Sequence, residues 1–230
     1  MDLWQLPQGY RYNSDSLILY DFITRLGYGQ NILDVGCGCG ILGALLKRDN
    51  PKISLSCLDI QPINVTITRH NMQFNKLEAK VIEGDFLKTQ WNGDFDTIVS
   101  NPPYYHEGSA KSSDEHLCVS RYNQYLPIGD FFLQVKRSLA PRGKLFFCYD
   151  AKQIGRIISQ LVQHSLTPQV LQFVHTKSEK NASLVLVEAR KNSKSLCEIL
   201  APIIVNSENG YSPQAQAIFN KANTKSHQWE

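Results

Sequence analysis

DVGCGCG, residues 34–40, follows the short apolar run NIL (31–33) and gives way to ILGALLKRD (41–49), where apolar residues fall at helical steps. The stretch therefore ends a strand and opens a helix. Glycines at 36, 38 and 40 permit positive φ and let the backbone approach a ligand closely, which a residue bearing Cβ does only at a cost. The spacing reads DxGxGxG, with Asp34 still in the strand, and so departs from the dinucleotide fingerprint GxGxxG. A pyrophosphate fits poorly; some other ligand belongs at this strand's carboxyl end.

Working outward, apolar strand-like runs alternate with segments of helical spacing, which predicts βαβ units and a mostly parallel sheet. The strands are expected at 31–36, 53–60, 79–85, 94–100, 143–150, 168–176 and 182–190. The helices between them are ILGALLKRD, PINVTITRHNMQFNK, LPIGDFFLQVKRSLA and AKQIGRIISQLVQHS. Only KSEKN separates the last two strands, so they should pair antiparallel at one edge. Before the first strand, SDSLILYDFITRLG predicts a helix capped by Ser14 or Asp15. After the last, a short helix is expected beyond Ser212-Pro213. The chain divides on this reading into a helical lid or extension (1–30), a sheet domain (31–192) and a C-terminal extension packed on it (193–230).

Composition sets the class. With 230 residues, 42% hydrophobic and 20% charged, the chain suits one globular core. MDLWQLPQGYRYNSD lacks the basic and apolar parts of a secretory signal, and no segment reaches the ~18 apolar residues of a membrane span. A cytoplasmic protein, monomeric and without metal, is expected. The six cysteines (37, 39, 57, 118, 148 and 197) read as reduced packing residues, since the CxC at 37 and 39 has no second ligand pair. Charge is uneven: residues 1–130 hold 11 Lys and Arg against 15 Asp and Glu, and residues 131–230 hold 13 against 6. A basic second half is compatible with nucleic-acid phosphates.

Two more carboxylates join the glycine loop. Asp59 ends the second strand, where it can take both hydroxyls of a ribose, and Asp85 ends the third, where it can accept from an adenine amine. Together with Asp34 they outline an adenosine pocket. The constellation resembles the class I S-adenosylmethionine-dependent methyltransferases, a Rossmann-like fold of seven strands with helices on both faces and a reversed C-terminal edge hairpin. The resemblance implies S-adenosylmethionine as cofactor: its amino-acid end on Asp34, Gly36, Gly38 and Gly40, its ribose on Asp59, its adenine by Asp85 and Phe86.

The fourth strand, FDTIVS, runs into NPPYY (101–105). An aromatic or amide NH₂ is a poor nucleophile because its lone pair is delocalised. The Asn101 side-chain oxygen and the Pro102 carbonyl can orient its hydrogens, and Pro102 and Pro103 stiffen the loop. Tyr104 can stack on a planar acceptor, and Tyr105 adds to that wall. His106 and Glu107 read as loop residues, since the methylated amine loses its proton readily.

The [ND]PP[YF] motif resembles amino methyltransferases of adenine N6, cytosine N4, guanine N2 or glutamine amide. QGYRYNSDSLILYDFI (8–23), NPPYY, the SRYN around Arg121, LAPRGKLFF and ASLVLVEARK are similar to the tRNA1(Val) (adenine37-N6)-methyltransferase family. That resemblance implies a tRNA partner held by the basic second half, with Arg121 carried over as a substrate-binding residue. Ser120, Tyr122 and Asn123 depart from the family's Ala-Arg-His-Glu. The alternatives are a protein glutamine methyltransferase, an rRNA guanine-N2 methyltransferase and a non-catalytic RNA-binding module.

Overall fold

The structure, a computed structural model, describes residues 1–7, 12–103 and 126–229. A short strand β1 (Asp2–Gln5) precedes α1 (Ser14–Leu26). Strand and helix then alternate: β2 (Asn31–Val35), α2 (Ile41–Asp49), β3 (Ser54–Asp59), α3 (Pro62–Phe74), β4 (Lys80–Glu83) and β5 (Phe95–Ser100). Beyond residue 125 come α4 (Ile128–Ser138), β6 (Leu139–Asp150), a 3₁₀ turn (Ala151–Gln153), α5 (Ile154–Gln163), β7 (Leu166–His175) and β8 (Ala182–Lys191). The last part holds β9 (Glu198–Ile204), the hairpin strands β10 (Asn206–Ser207) and β11 (Gly210–Tyr211), α6 (Pro213–Ala222) and β12 (Lys225–Gln228).

The main sheet runs β4-β3-β2-β5-β6-β8-β7-β9, and β8 is antiparallel to both of its neighbours. From β2 the chain steps outward through β3 to β4, then returns to β5 on the other side of β2. Strand order reverses there, so a crevice opens beyond the carboxyl ends of β2 and β5. Period-two alternation sends β6 side chains to two separate cores: Phe146 and Cys148 pack toward α1 and α2, Phe147 and Tyr149 toward α4 and α5.

Among the described residues the sheet has eight strands, one more than expected, and the β7–β8 hairpin is not its edge. β9 lies outside β7 and parallel to it. Its sequence, EILAPII, gives little strand signal because most of it stays exposed, and Pro202 is tolerated because it falls at an irregularity in the β7–β9 register. Helix α1 is capped one residue earlier than expected: the Asn13 side chain accepts from Asp15 N at 3.0 Å. Helix α6 begins as expected, with the Ser212 hydroxyl accepting from Ala215 N at 3.0 Å.

β1 pairs in parallel with β12, so segments from the two extremes of the sequence form a small second sheet. It lies on α3. Asn71 and Asn75, one turn apart, act there as a third strand would: Asn71 accepts from Trp4 N (2.8 Å) and donates to Trp4 O (2.9 Å), and Asn75 does the same with Asp2 (3.2 and 2.6 Å). The Trp4 ring stacks on His227 and meets His70 and Phe74 edge-on.

Candidate active site

The glycine loop is held from below. Gly36 N and Cys37 N both donate to Leu58 O (2.8 and 3.1 Å), Thr68 Oγ1 donates to Gly38 O (2.7 Å), and Asn71 Nδ2 donates to Cys39 O (2.8 Å). Gly36 and Gly38 have φ of 66° and 59°, and among the described residues a Cβ built on either would meet no atom within 4 Å. The chain therefore curls with its bare side toward open space, leaving room for a ligand against the backbone. Gly40 differs. A Cβ there would lie 2.9 Å from Thr68 Cγ2, so this glycine is set back where α2 meets α3.

Asp59, 4% exposed, supports that loop and its own helix together. Its Oδ2 accepts from Gly38 N (2.8 Å), while Oδ1 accepts from Gln61 N (2.9 Å) and Asn64 Nδ2 (3.1 Å). Asp34, 1% exposed, accepts from Gly43 N at 2.9 Å. Burial pushes its carboxyl up to about 7; the Gly43 N–H opposes this and the Asp59 charge adds to it. Asp85 stands two residues past β4, brought beside β3 by the bond from Gly84 N to Asp59 O (3.0 Å). It accepts from Leu87 N (2.9 Å) and meets Lys88 at 3.2 Å.

These groups line a cleft of about 660 Å³, with Gly36, Gly38, Asp59, Asp85, Phe86 and Asn101 on its walls. A smaller pocket adjoins it, walled by Tyr12, Ser16, Asp34, Cys39 and again Asn101. Asn101 thus stands where the two meet. The β2–β5 register ends at Val35 opposite Ser100, whose hydroxyl bonds Val35 O at 2.8 Å, so Gly36 and Asn101 follow as neighbours. The Asn101 amide is gripped on both sides: Nδ2 donates to Ser16 Oγ (3.2 Å), and Cys148 Sγ donates to Oδ1 (3.1 Å). Pro102 is buried, and Pro103 lines the cleft.

The structure thus brings together Gly36, Gly38, Asp59, Asp85, Phe86, Asn101 and Pro103, with Asp34 in the adjoining pocket and Gly40 behind. Tyr104, Tyr105, His106, Glu107 and Arg121 lie outside the described residues; of the expected lid, so do residues 8–11. Sequence reasoning missed Ile60, nearly half exposed on the cleft wall, whose signal was an apolar residue continuing past the end of β3. It also missed Gln61, Asn64, Ser16 and Cys148, which carry no local motif. Among the described residues no group of His, Cys, Asp or Glu is placed to hold a metal, and no helix is long and apolar enough to cross a membrane.

The chain is 42% identical over 83 residues to the Ribosomal RNA small subunit methyltransferase C of Shewanella denitrificans, a match covering 36% of this chain. It spans 24–37% of the length of the relatives of that name that it matches. It is 24% identical over 191 residues to a tRNA1(Val) (adenine(37)-N6)-methyltransferase of Aliivibrio salmonicida, covering 82% of this chain and 80% of that one. In fold it superposes on a predicted O-methyltransferase from Agrobacterium tumefaciens with a TM-score of 0.72 at 15% identity, over 93% of this chain and 99% of that one. The cofactor is S-adenosylmethionine, and the cleft suits it: bare backbone at Gly36 and Gly38, acceptors at Asp59 and Asp85, apolar walls at Ile60 and Phe86. Residues 13–167 match the methyltransferase small domain, from α1 to the start of β7, and the chain belongs to that family.

Proposed function

We propose that this methyltransferase acts on an exocyclic amine of an RNA base, and that the amine is N6 of adenine 37 in tRNA1(Val). The position of Asn101 carries the reading: an amide held at the junction of the two pockets, followed by two prolines that fix the chain. S-adenosylmethionine, when bound, would supply an electrophilic methyl group on a sulfonium, whose S–C bond breaks to leave a neutral thioether as the new N–C bond forms.

The Asn101 oxygen and the Pro102 carbonyl accept from the amine's hydrogens, turning its lone pair toward the cleft and favouring tetrahedral nitrogen. Both acceptors are placed before substrate arrives, so little ordering is left for the reaction itself. The nitrogen gains a methyl and passes its surplus proton to water. Asp59 would hold the ribose, Asp85 and Phe86 the adenine, and ionised Asp34 the ammonium end of the cofactor. Tyr104 and Tyr105 would stack on the target base, and Arg121 and the basic second half would meet RNA phosphates.

Near end-to-end likeness to the tRNA relative, against the partial spans of the rRNA ones, supports the tRNA choice. The higher local identity to the rRNA enzymes favours a second reading, an exocyclic amine in small-subunit rRNA. Labelled cofactor with undermodified tRNA and rRNA, followed by nucleoside mass analysis, separates them. Methyladenosine in tRNA is the expected product; methylguanosine in rRNA selects the second reading. Methylglutamine in protein, or no transfer to any pool, overturns both.

A further inference from the structure

We propose that Cys148 is a positioning residue: its thiol, with Ser16, locks the Asn101 amide so that oxygen rather than NH₂ serves the acceptor amine. This rests on the role given to Asn101 above. The β5–β6 register ends with Ser100 opposite Phe147, so the next residue of each strand, Asn101 and Cys148, are neighbours across the ladder. Cys148 is fully buried, and its Sγ lies 3.1 Å from Asn101 Oδ1. On the other side, from a different element, Ser16 in the first turn of α1 accepts from Asn101 Nδ2 at 3.2 Å and is 2% exposed.

An asparagine amide is nearly symmetric in shape, so packing alone hardly tells its oxygen from its nitrogen; donors and acceptors must do so. A serine hydroxyl serves either way round. A thiol does not. Burial holds it protonated well above its usual range, so it is a persistent donor and poor acceptor beside the amide. A flipped Asn101 would point NH₂ at that donor and present NH₂ to a substrate N–H, losing two hydrogen bonds together. An amide oxygen has two lone pairs, so donation by Cys148 and by a substrate amine are compatible at one atom.

The test compares Cys148→Ala, Cys148→Ser, Asn101→Ala and the Asn101→Ala/Cys148→Ala double variant in the full chain. The readouts are kcat and KM with undermodified tRNA and rRNA, cofactor Kd by calorimetry, and the infrared S–H stretching band. We expect Cys148→Ala to lose about tenfold in kcat with KM and cofactor Kd within about threefold, Cys148→Ser to stay slower than the parent because its hydroxyl serves either amide orientation, and the double variant to be no slower than Asn101→Ala. The S–H band, isolated by subtracting the Cys148→Ser spectrum, should shift in Asn101→Ala whatever the substrate proves to be.

Full kcat in Cys148→Ala or in Cys148→Ser, additive losses in the double variant, or an unmoved S–H band each overturn the lock. If Asn101→Ala keeps full turnover, the acceptor role of Asn101 falls and the lock with it. Loss in Asn101→Ala with none in Cys148→Ala removes the lock alone.

Discussion

Asn71 Nδ2 donates to Cys39 O at 2.8 Å, so a buried side chain of α3 holds the glycine loop and strand β1 at once. Replacing it with alanine leaves Cys39 O and both polar groups of Trp4 without this partner. The expected cost is about 2–4 kcal/mol of stability, since each orphaned buried group costs roughly 1–3. Cofactor affinity should fall as well. Asn75→Ala, a turn away and hydrogen-bonded among the described residues to β1 and its own helix, should lose stability alone. Thermal unfolding and calorimetric titration of the two variants check this; unchanged affinity in Asn71→Ala would show that the loop stands without it.

Asp59 joins two jobs in one carboxylate. It spans Gly38 N on one oxygen and the start of α3 on the other, and it faces the cleft. Asp59→Ala removes charge-assisted bonds of about 1.5–3 kcal/mol each. Cofactor Kd should rise by at least tenfold, with a lower unfolding temperature. A variant that binds as tightly as the parent refutes the assignment.

The pH dependence follows from Asp34. Its folded-state carboxyl sits at about 7 against an ordinary value of 3.8, because burial disfavours the charged form. Between those values the folded chain holds a proton that the unfolded chain has released, so this group's stabilising contribution is full below about 4 and is lost as pH rises toward 7. Urea unfolding of the parent minus that of Asp34→Asn, taken over pH 4–8, should show that decline and then level off. Cofactor affinity should run the other way, rising with pH to about 7, because ionised Asp34 is the form that pairs with an ammonium. Flat difference curves would mean that Asp34 does not titrate in this window.

Gly38 and Gly40 should respond differently to alanine. At Gly38 the side chain is strained by φ of 59°, a cost of about 1–2 kcal/mol, and its methyl projects toward the ligand. Cofactor binding should drop more than stability. At Gly40 the methyl meets Thr68 and Met72, so stability should drop more. Melting temperatures and Kd values measured together distinguish the two patterns.

The parts of the fold legible in the sequence were those with a buried apolar run and a turn signal. Six of the seven strands from Asn31 to Lys191 have both, β4 buries no residue and was legible from its place in the alternation, and DVGCGCG marked the crevice because three alternate glycines have few other uses. β9 stayed hidden because half-exposed EILAPII buries too little to show a period. β1 and β12 stayed hidden because DLWQ and KSHQ are short and mostly polar, and their stability comes from Asn71, Asn75 and each other. Cys148 read correctly as a core residue, yet its link to Asn101 follows from register between strands almost fifty residues apart, which no local pattern encodes.

The pairing of β1 with β12 also matters while the chain is being made. Translation at roughly 5–20 residues per second separates Asp2 from its partner His227, 225 positions later, by about 10–45 s. For most of that interval Trp4 has left the ribosome while its strand partner is still unsynthesised. Asn71 and Asn75 emerge far sooner, and their paired amides offer the nascent β1 a provisional berth on α3. On this view the two asparagines shield a strand made early from wrong partners until residues 225–228 arrive.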